Sequence, residues 1–140
     1  MDRLELGWSG EQFVVNLFRA AGVTARHNVG PGDILLGNGL AVEVKASLPG
    51  RAGRMRFQFC LYREQDGVVK TNALKSDLVI LLAYPKVGVA PVVFGIPSER
   101  LKGQKTLKLP RDLSAYTGKW SWFRGLGRAY NELRDKGVLQ

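Results

Sequence analysis

The chain has 140 residues, 45% hydrophobic and 24% charged, which suits one globular domain and excludes a disordered or fibrous chain. No apolar run approaches the roughly 20 residues that cross a bilayer, and Met1-Asp2-Arg3-Leu4-Glu5 lacks a signal-peptide core, so a cytosolic protein is expected. Twenty-one Lys and Arg against 12 Asp and Glu give +9, a field that draws polyanions, and nucleic acid ranks well ahead of membrane because no basic amphipathic helix with a broad apolar face appears.

Ser9-Gly10-Glu11-Gln12 reads as a helix start with Ser9 as N-cap. Phe13, Val14, Leu17, Phe18 and Ala21 follow at helical spacing until Gly22 ends the run. Val23 to Val29 reads as a short extended segment, and Gly30-Pro31-Gly32 as a turn. Two strands follow, Asp33 to Leu36 and Leu40 to Ala46. Met55 to Tyr62 alternates Met55, Phe57, Phe59 and Leu61 with Arg56, Gln58 and Cys60, a strand with one buried face. Cys60, the single cysteine, reads as a small buried hydrophobe without a metal-ligand partner. Leu78 to Ala83 is apolar throughout, a central strand buried on both sides. Val92 to Ile96 is another strand, Pro97 to Leu101 a short helical turn, and Trp122, Phe123, Leu126, Tyr130 and Leu133 mark a last helix. The order predicts a single α/β domain over residues 1–140, a mixed sheet flanked by helices.

The chemistry concentrates in Asp33 to Lys45. A two-residue Asn38-Gly39 turn would mix apolar and charged residues on both faces of the hairpin. A loop over Gly37 to Gly39 instead sets Ile34 opposite Val42 and Asp33 opposite Glu43. Ile34, Leu36, Leu40, Val42 and Val44 then make one dry face, with Asp33, Glu43 and Lys45 on the other, so the longer loop is expected. Opposed residues lie roughly 5 Å apart at Cβ, close enough for both carboxylates to hold one cation. Hard oxygen ligands suit Mg²⁺, with Mn²⁺ as substitute. Lys45, on the same face, is suited to orienting a water and countering charge on a phosphate. Alone, Glu43-Val44-Lys45 is the wet side of an amphipathic strand; the aligned Asp33 and the basic composition favour a metal site. Glu11, taken as a first-turn acid bordering the core-facing stripe, is a fourth candidate, although by itself it is an ordinary helix-start residue.

These residues resemble the PD-(D/E)XK nuclease superfamily, with Asp33, Glu43 and Lys45 on its hairpin motif and Glu11 on its first-helix acid. Gly7 and Glu11, with Gly-x-Asp and Glu-Val-Lys, are most similar to archaeal-type Holliday junction resolvases. The resemblance implies a restriction-endonuclease-like core with a central mixed sheet of about five strands. It also implies a homodimeric, Mg²⁺-dependent endonuclease that nicks four-way DNA junctions symmetrically, in recombination and repair. In that scheme Asp33 and Glu43 are metal ligands, Glu11 a further ligand directly or through water, and Lys45 stands beside the nucleophile. The chain differs from the resolvases in having Asn28-Val29-Gly30 where they carry a Ser-rich loop. A homing, restriction-type or repair endonuclease on the same core, and a non-catalytic DNA-binding module, remain alternatives.

Gln58 is a possible accessory group or a backbone-bonding side chain. Arg51, Arg54 and Arg56 suit phosphate contacts, within a stretch from Arg51 to Arg63 that holds four arginines and no acid. His27 reads as a strand-edge residue without special role. Trp120, Trp122 and Phe123 suit core packing before base stacking or a dimer interface.

Overall fold

The structure, a computed structural model, describes residues 3–28, 33–37, 39–50, 56–101 and 103–109. Arg51, Arg54, Met55, Trp120, Trp122, Phe123 and the expected last helix lie outside the described residues.

Helix α1 spans Arg3–Ala20, so it begins well before Ser9, which is an exposed position inside it rather than its cap. Leu4, Glu5 and Leu6 are good helix formers and continue the helix N-terminally, which the local capping signal at Ser9 does not prevent. Glu5, not Glu11, is the first-turn acid, and the end-of-helix dipole that would favour a carboxylate does not reach Glu11. The C-terminus closes as expected. Gly22, at φ +82°, donates to Arg19 O and Val23 donates to Phe18 O, the paired bonds of a Schellman end.

β1 (Ala25–His27), β2 (Ile34–Leu36), β3 (Ala41–Ser47), β7 (Leu78–Ala83) and β8 (Val92–Pro97) form a five-stranded mixed sheet in the order β1-β2-β3-β7-β8. Only β3 and β7 run parallel; the other pairs are antiparallel. A parallel pair needs a crossover, and here it carries strands: β4 (Phe57–Cys60), β5 (Tyr62–Gln65) and β6 (Val68–Asn72), then a short 3₁₀ turn, Ala73–Lys75. Another 3₁₀ turn, Ser98–Leu101, leads towards β9 (Thr106–Leu109), which pairs with β4.

The expected single strand over Met55 to Tyr62 is therefore two. The alternation survives, with Phe59 and Leu61 buried, but β4 leaves Leu61 to bond Lys105 O before β5 turns into its own hairpin with β6. Cys60 is exposed, not buried, because it falls on the outward side of this alternation, with its Sγ 3.6 Å from Tyr62 O.

Two cores lie on opposite faces of the sheet. Val14, Val15 and Phe18 of α1 pack on Ile34, Val42, Val44, Ile80 and Leu82. Val79, Leu81 and Ala83 face the other way, against Phe59, Leu61, Leu107 and Leu109 of β4, β9 and the segment between β4 and β5. Every residue of β7 is buried, as its unbroken apolar run predicts. α1 approaches closely through Gly10, where an added Cβ would meet Leu82 Cδ1 at 3.0 Å and Ala46 Cβ at 3.4 Å. Among the described residues, no helix is long and apolar enough to cross a membrane.

Candidate active site

The β2–β3 hairpin has the register that keeps one face dry. Ile34 pairs with Val42 and Leu35 with Ala41, and Leu36 N–H donates to Leu40 O across the loop. The strand pairs end at Ile34; Asp33 N–H donates to Val42 O at 2.8 Å, and the charge of Asp33 acts on Glu43, the next residue along β3.

β2 is three residues long and β3 seven, so β3 runs on past the point where β2 has a partner to offer. The Asp33 carboxylate fills that gap: its Oδ2 accepts from Val44 N–H at 2.8 Å. The bond satisfies a strand N–H that the short β2 leaves unpaired, and it fixes the side chain at the sheet edge. Asn28 N–H holds the same residue from β1's side, donating to Asp33 O at 3.0 Å.

Ile34, Val42 and Val44 face α1, so strand alternation turns Glu43 and Lys45 to the other side of β3. Lys45 Nζ lies 3.4 Å from Glu43 Oε1, with both side chains largely shielded from solvent. Glu11 comes from α1 and hydrogen-bonds the Asp33 carboxyl group. The sheet edge thus lets a helix residue meet strand residues that the sheet would otherwise separate.

The electrostatics follow from that crowding. Burial pushes the Glu11 carboxyl up to about 7, helped by the charge of Asp33, the hydrogen bond with Asp33 and the charge of Glu43. Burial and then Asp33 also push Glu43 above its ordinary value, while the charge and hydrogen bond of Lys45 pull it back. A carboxyl–carboxyl hydrogen bond needs one shared proton.

This donor set fits a hard divalent cation in kind: clustered carboxylate oxygens, with one ammonium to offset their charge. The present side-chain positions are not a finished cage. Among the described residues no group of three or more His, Cys, Asp or Glu is arranged to hold an ion.

Beyond Lys45 on the same strand face comes Ser47, at the start of a cleft of about 660 Å³. Leu48, Arg56, Phe57, Gln58, Lys108 and Leu109 contribute to its walls. Gln58 and Arg56 thus lie on β4 and just before it, along the continuation of the Glu43–Lys45 face. The bond from Gly50 N–H to Arg56 O, at 2.9 Å, ties the end of β3's exit loop to this rim. Gln58 pairs with Lys108 in the β4–β9 register, a strand pairing absent from the sequence reading. The alternation Thr106-Leu107-Lys108-Leu109 was its available signal.

His27 does have a defined environment. Its ring stacks on Trp8, with centroids 4.5 Å apart and planes 12° from parallel, and its Nε2 is 3.2 Å from Gln12 Oε1. Sequence reasoning misses Trp8 because a helix started at Ser9 leaves it outside. Once α1 includes it, Trp8 and Gln12 fall one turn apart on one flank.

No family model matches the chain, and no curated protein does. Among solved structures it is similar to a bacterial homing endonuclease, I-Ssp6803I, with a TM-score of 0.66 and 14% identity over 99% of this chain and 97% of that one. At that identity the likeness is one of fold, and it extends over nearly the whole of both chains.

Proposed function

We propose that this protein is a metal-dependent DNA endonuclease whose reacting groups are Glu11, Asp33, Glu43 and Lys45. The observation that carries the reading is the meeting of Glu11 with Asp33 at the edge where β3 outruns β2, beside the Glu43–Lys45 pair. Asp33 and Glu43 would hold Mg²⁺, or Mn²⁺ in its place, with Glu11 as a further ligand directly or through water. When bound, the ion supplies positive charge to the phosphate and makes water a stronger acid.

The protein's own groups do the rest. The Asp33 carboxylate keeps its aim because Val44 N–H fixes one of its oxygens. Lys45 brings an ammonium group to the same face. There it orients the attacking water and offsets the charge that grows on the phosphate oxygens. Water adds to phosphorus, one phosphorus–oxygen ester bond breaks, and the departing oxygen takes up a proton. The Ser47–Arg56–Gln58 cleft continues this face and suits the DNA backbone on one side of the cut, with Arg56 as a phosphate contact. Net charge +9 supports a polyanionic substrate.

The similar structure is a homing endonuclease, which favours cleavage of duplex DNA at a preferred sequence. Junction resolution is the second reading, supported by Gly7 and Glu11 together with the Glu43-Val44-Lys45 motif. Either reading requires two cuts and is served by a homodimer. The test is incubation with a four-way junction and with a random-sequence duplex library, each with Mg²⁺, with Mn²⁺ and with EDTA. Metal-dependent cuts in selected duplex sequences are expected, and paired symmetric nicks confined to the junction would favour the second reading. If no metal produces cleavage of either substrate, the nuclease reading fails and a DNA-binding module takes its place.

A further inference from the structure

An aromatic ledge stands next to the carboxylates and has no part in the chemistry above. Trp8 lies nearly parallel on His27 at 4.5 Å, yet is 59% exposed, a large apolar surface left to water. The ring beneath it is held: Gln12 Oε1 lies 3.2 Å from His27 Nε2, and the Gln12 amide donates to Asn16 Oδ1 at 3.2 Å. One face of the indole is therefore backed by a fixed ring while much of the rest of the side chain is open.

The position of the ledge matters more than its exposure. Trp8 precedes Glu11 by one helical turn, and Gln12 directly follows Glu11. His27 pairs with Ile34, the neighbour of Asp33, and Asn28 binds Asp33 O. Both rings are thus attached to backbone that also carries the acidic cluster. On β3 the cleft with Arg56 and Gln58 lies in the other direction, beyond Lys45.

We propose that Trp8, backed by His27, is a stacking platform for one nucleobase of the DNA, next to the phosphate held at the carboxylates. This rests on the endonuclease reading for its location and adds the side of the substrate that the cleft does not serve. An aromatic face accepts any base, so the platform confers position rather than sequence preference. A base can reach it only by leaving the helical stack, which costs least where the base is mismatched, unpaired or at a distortion. Trp8 is accordingly a positioning residue that favours substrates with a loosened base pair beside the cut.

The experiment compares wild type, Trp8→Ala and Trp8→Phe, all checked for unchanged melting temperature. Each is titrated, without divalent metal, with a single-stranded oligonucleotide and with an abasic oligonucleotide of equal length and charge. Wild type should prefer the base-bearing strand by about ten-fold, the scale of one base–aromatic stack. Trp8→Ala should lose that preference while binding the abasic strand as wild type does, and Trp8→Phe should keep part of it. Equal preference in wild type and Trp8→Ala overturns the platform, as does a Trp8→Ala effect confined to self-association. Cleavage of plasmid DNA by wild type with Mg²⁺ is scored separately. Cleavage without a Trp8-dependent base preference removes the platform alone, and a Trp8-dependent preference without cleavage removes the nuclease reading but keeps the base site.

Discussion

The β2–β3 and β5–β6 hairpins are both short antiparallel pairs with glycine in the turn, yet they are specified by different forces. In β2–β3 the register is set by burial: Ile34, Leu36, Leu40, Val42 and Val44 all enter the core under α1. A slip of one residue would drive Glu43 and Lys45 into that core. In β5–β6 most residues are exposed, including Val68 and Val69, and nothing comparable penalises a slip. There the turn dictates pairing, with Asp66 at φ 53° and Gly67 at φ 75°, the left-handed pair of a type I′ turn. A burial-locked hairpin can hold neighbouring carboxylates against their mutual repulsion. A turn-locked one has no such reserve.

Breaking the charged face of the first hairpin should give the largest effect. Asp33→Asn keeps an oxygen to accept from Val44 N–H, and Glu43→Gln keeps the side-chain volume, so both variants should fold and bind DNA. Cleavage rates should fall about a thousand-fold, the cost of several kcal/mol of lost transition-state stabilisation. Parallel loss of DNA affinity would count against their role as ligands.

Next comes the contrast in stability. Ile34→Ala removes a fully buried side chain from the first hairpin and should cost about 2–5 kcal/mol in denaturant melts. Gly67→Ala in the second meets open space and loses only backbone freedom at positive φ, about 1–2 kcal/mol. Equal losses would contradict the distinction between the two hairpins.

The smallest effect tests the crowding of acids. A carboxyl raised in the folded state, such as Glu11 at about 7 against an ordinary 4.5, favours the fold in its protonated form. That contribution is complete below 4.5 and is lost as pH rises through about 7. In EDTA, Glu11→Gln should melt higher than wild type at pH 8 and alongside it at pH 4. Mg²⁺ should narrow the gap at pH 8 by stabilising wild type selectively. Identical melting temperatures at pH 8 in EDTA would show that the acids do not strain one another.

Much of the central sheet was legible in the sequence, because its strands carry strong patterns. The all-apolar Leu78 to Ala83 run and the alternation through Val42 and Val44 each allow one arrangement that keeps water out. The outer layer was less legible. β5 and β6 are polar and short, with Asp66-Gly67 as their available signal, and β9 is a four-residue strand whose partner β4 lies more than 40 residues earlier in the chain. α1 starts well before Ser9 because an N-cap residue is a local signal, overridden when good helix formers precede it.

Sequence by itself determined the register of the β2–β3 hairpin, Ile34 on Val42, since strand alternation and the exclusion of charge from the core favour it, and with it the turn of Glu43 and Lys45 away from α1. Only the tertiary structure decided that Glu11 meets Asp33, that Arg56 and Gln58 line a cleft beyond Lys45, and that Trp8 stacks on His27. Those contacts join segments distant in the chain, so they depend on how closely Gly10 lets α1 approach the sheet and on where β2 stops. Neither is encoded in the residues that touch.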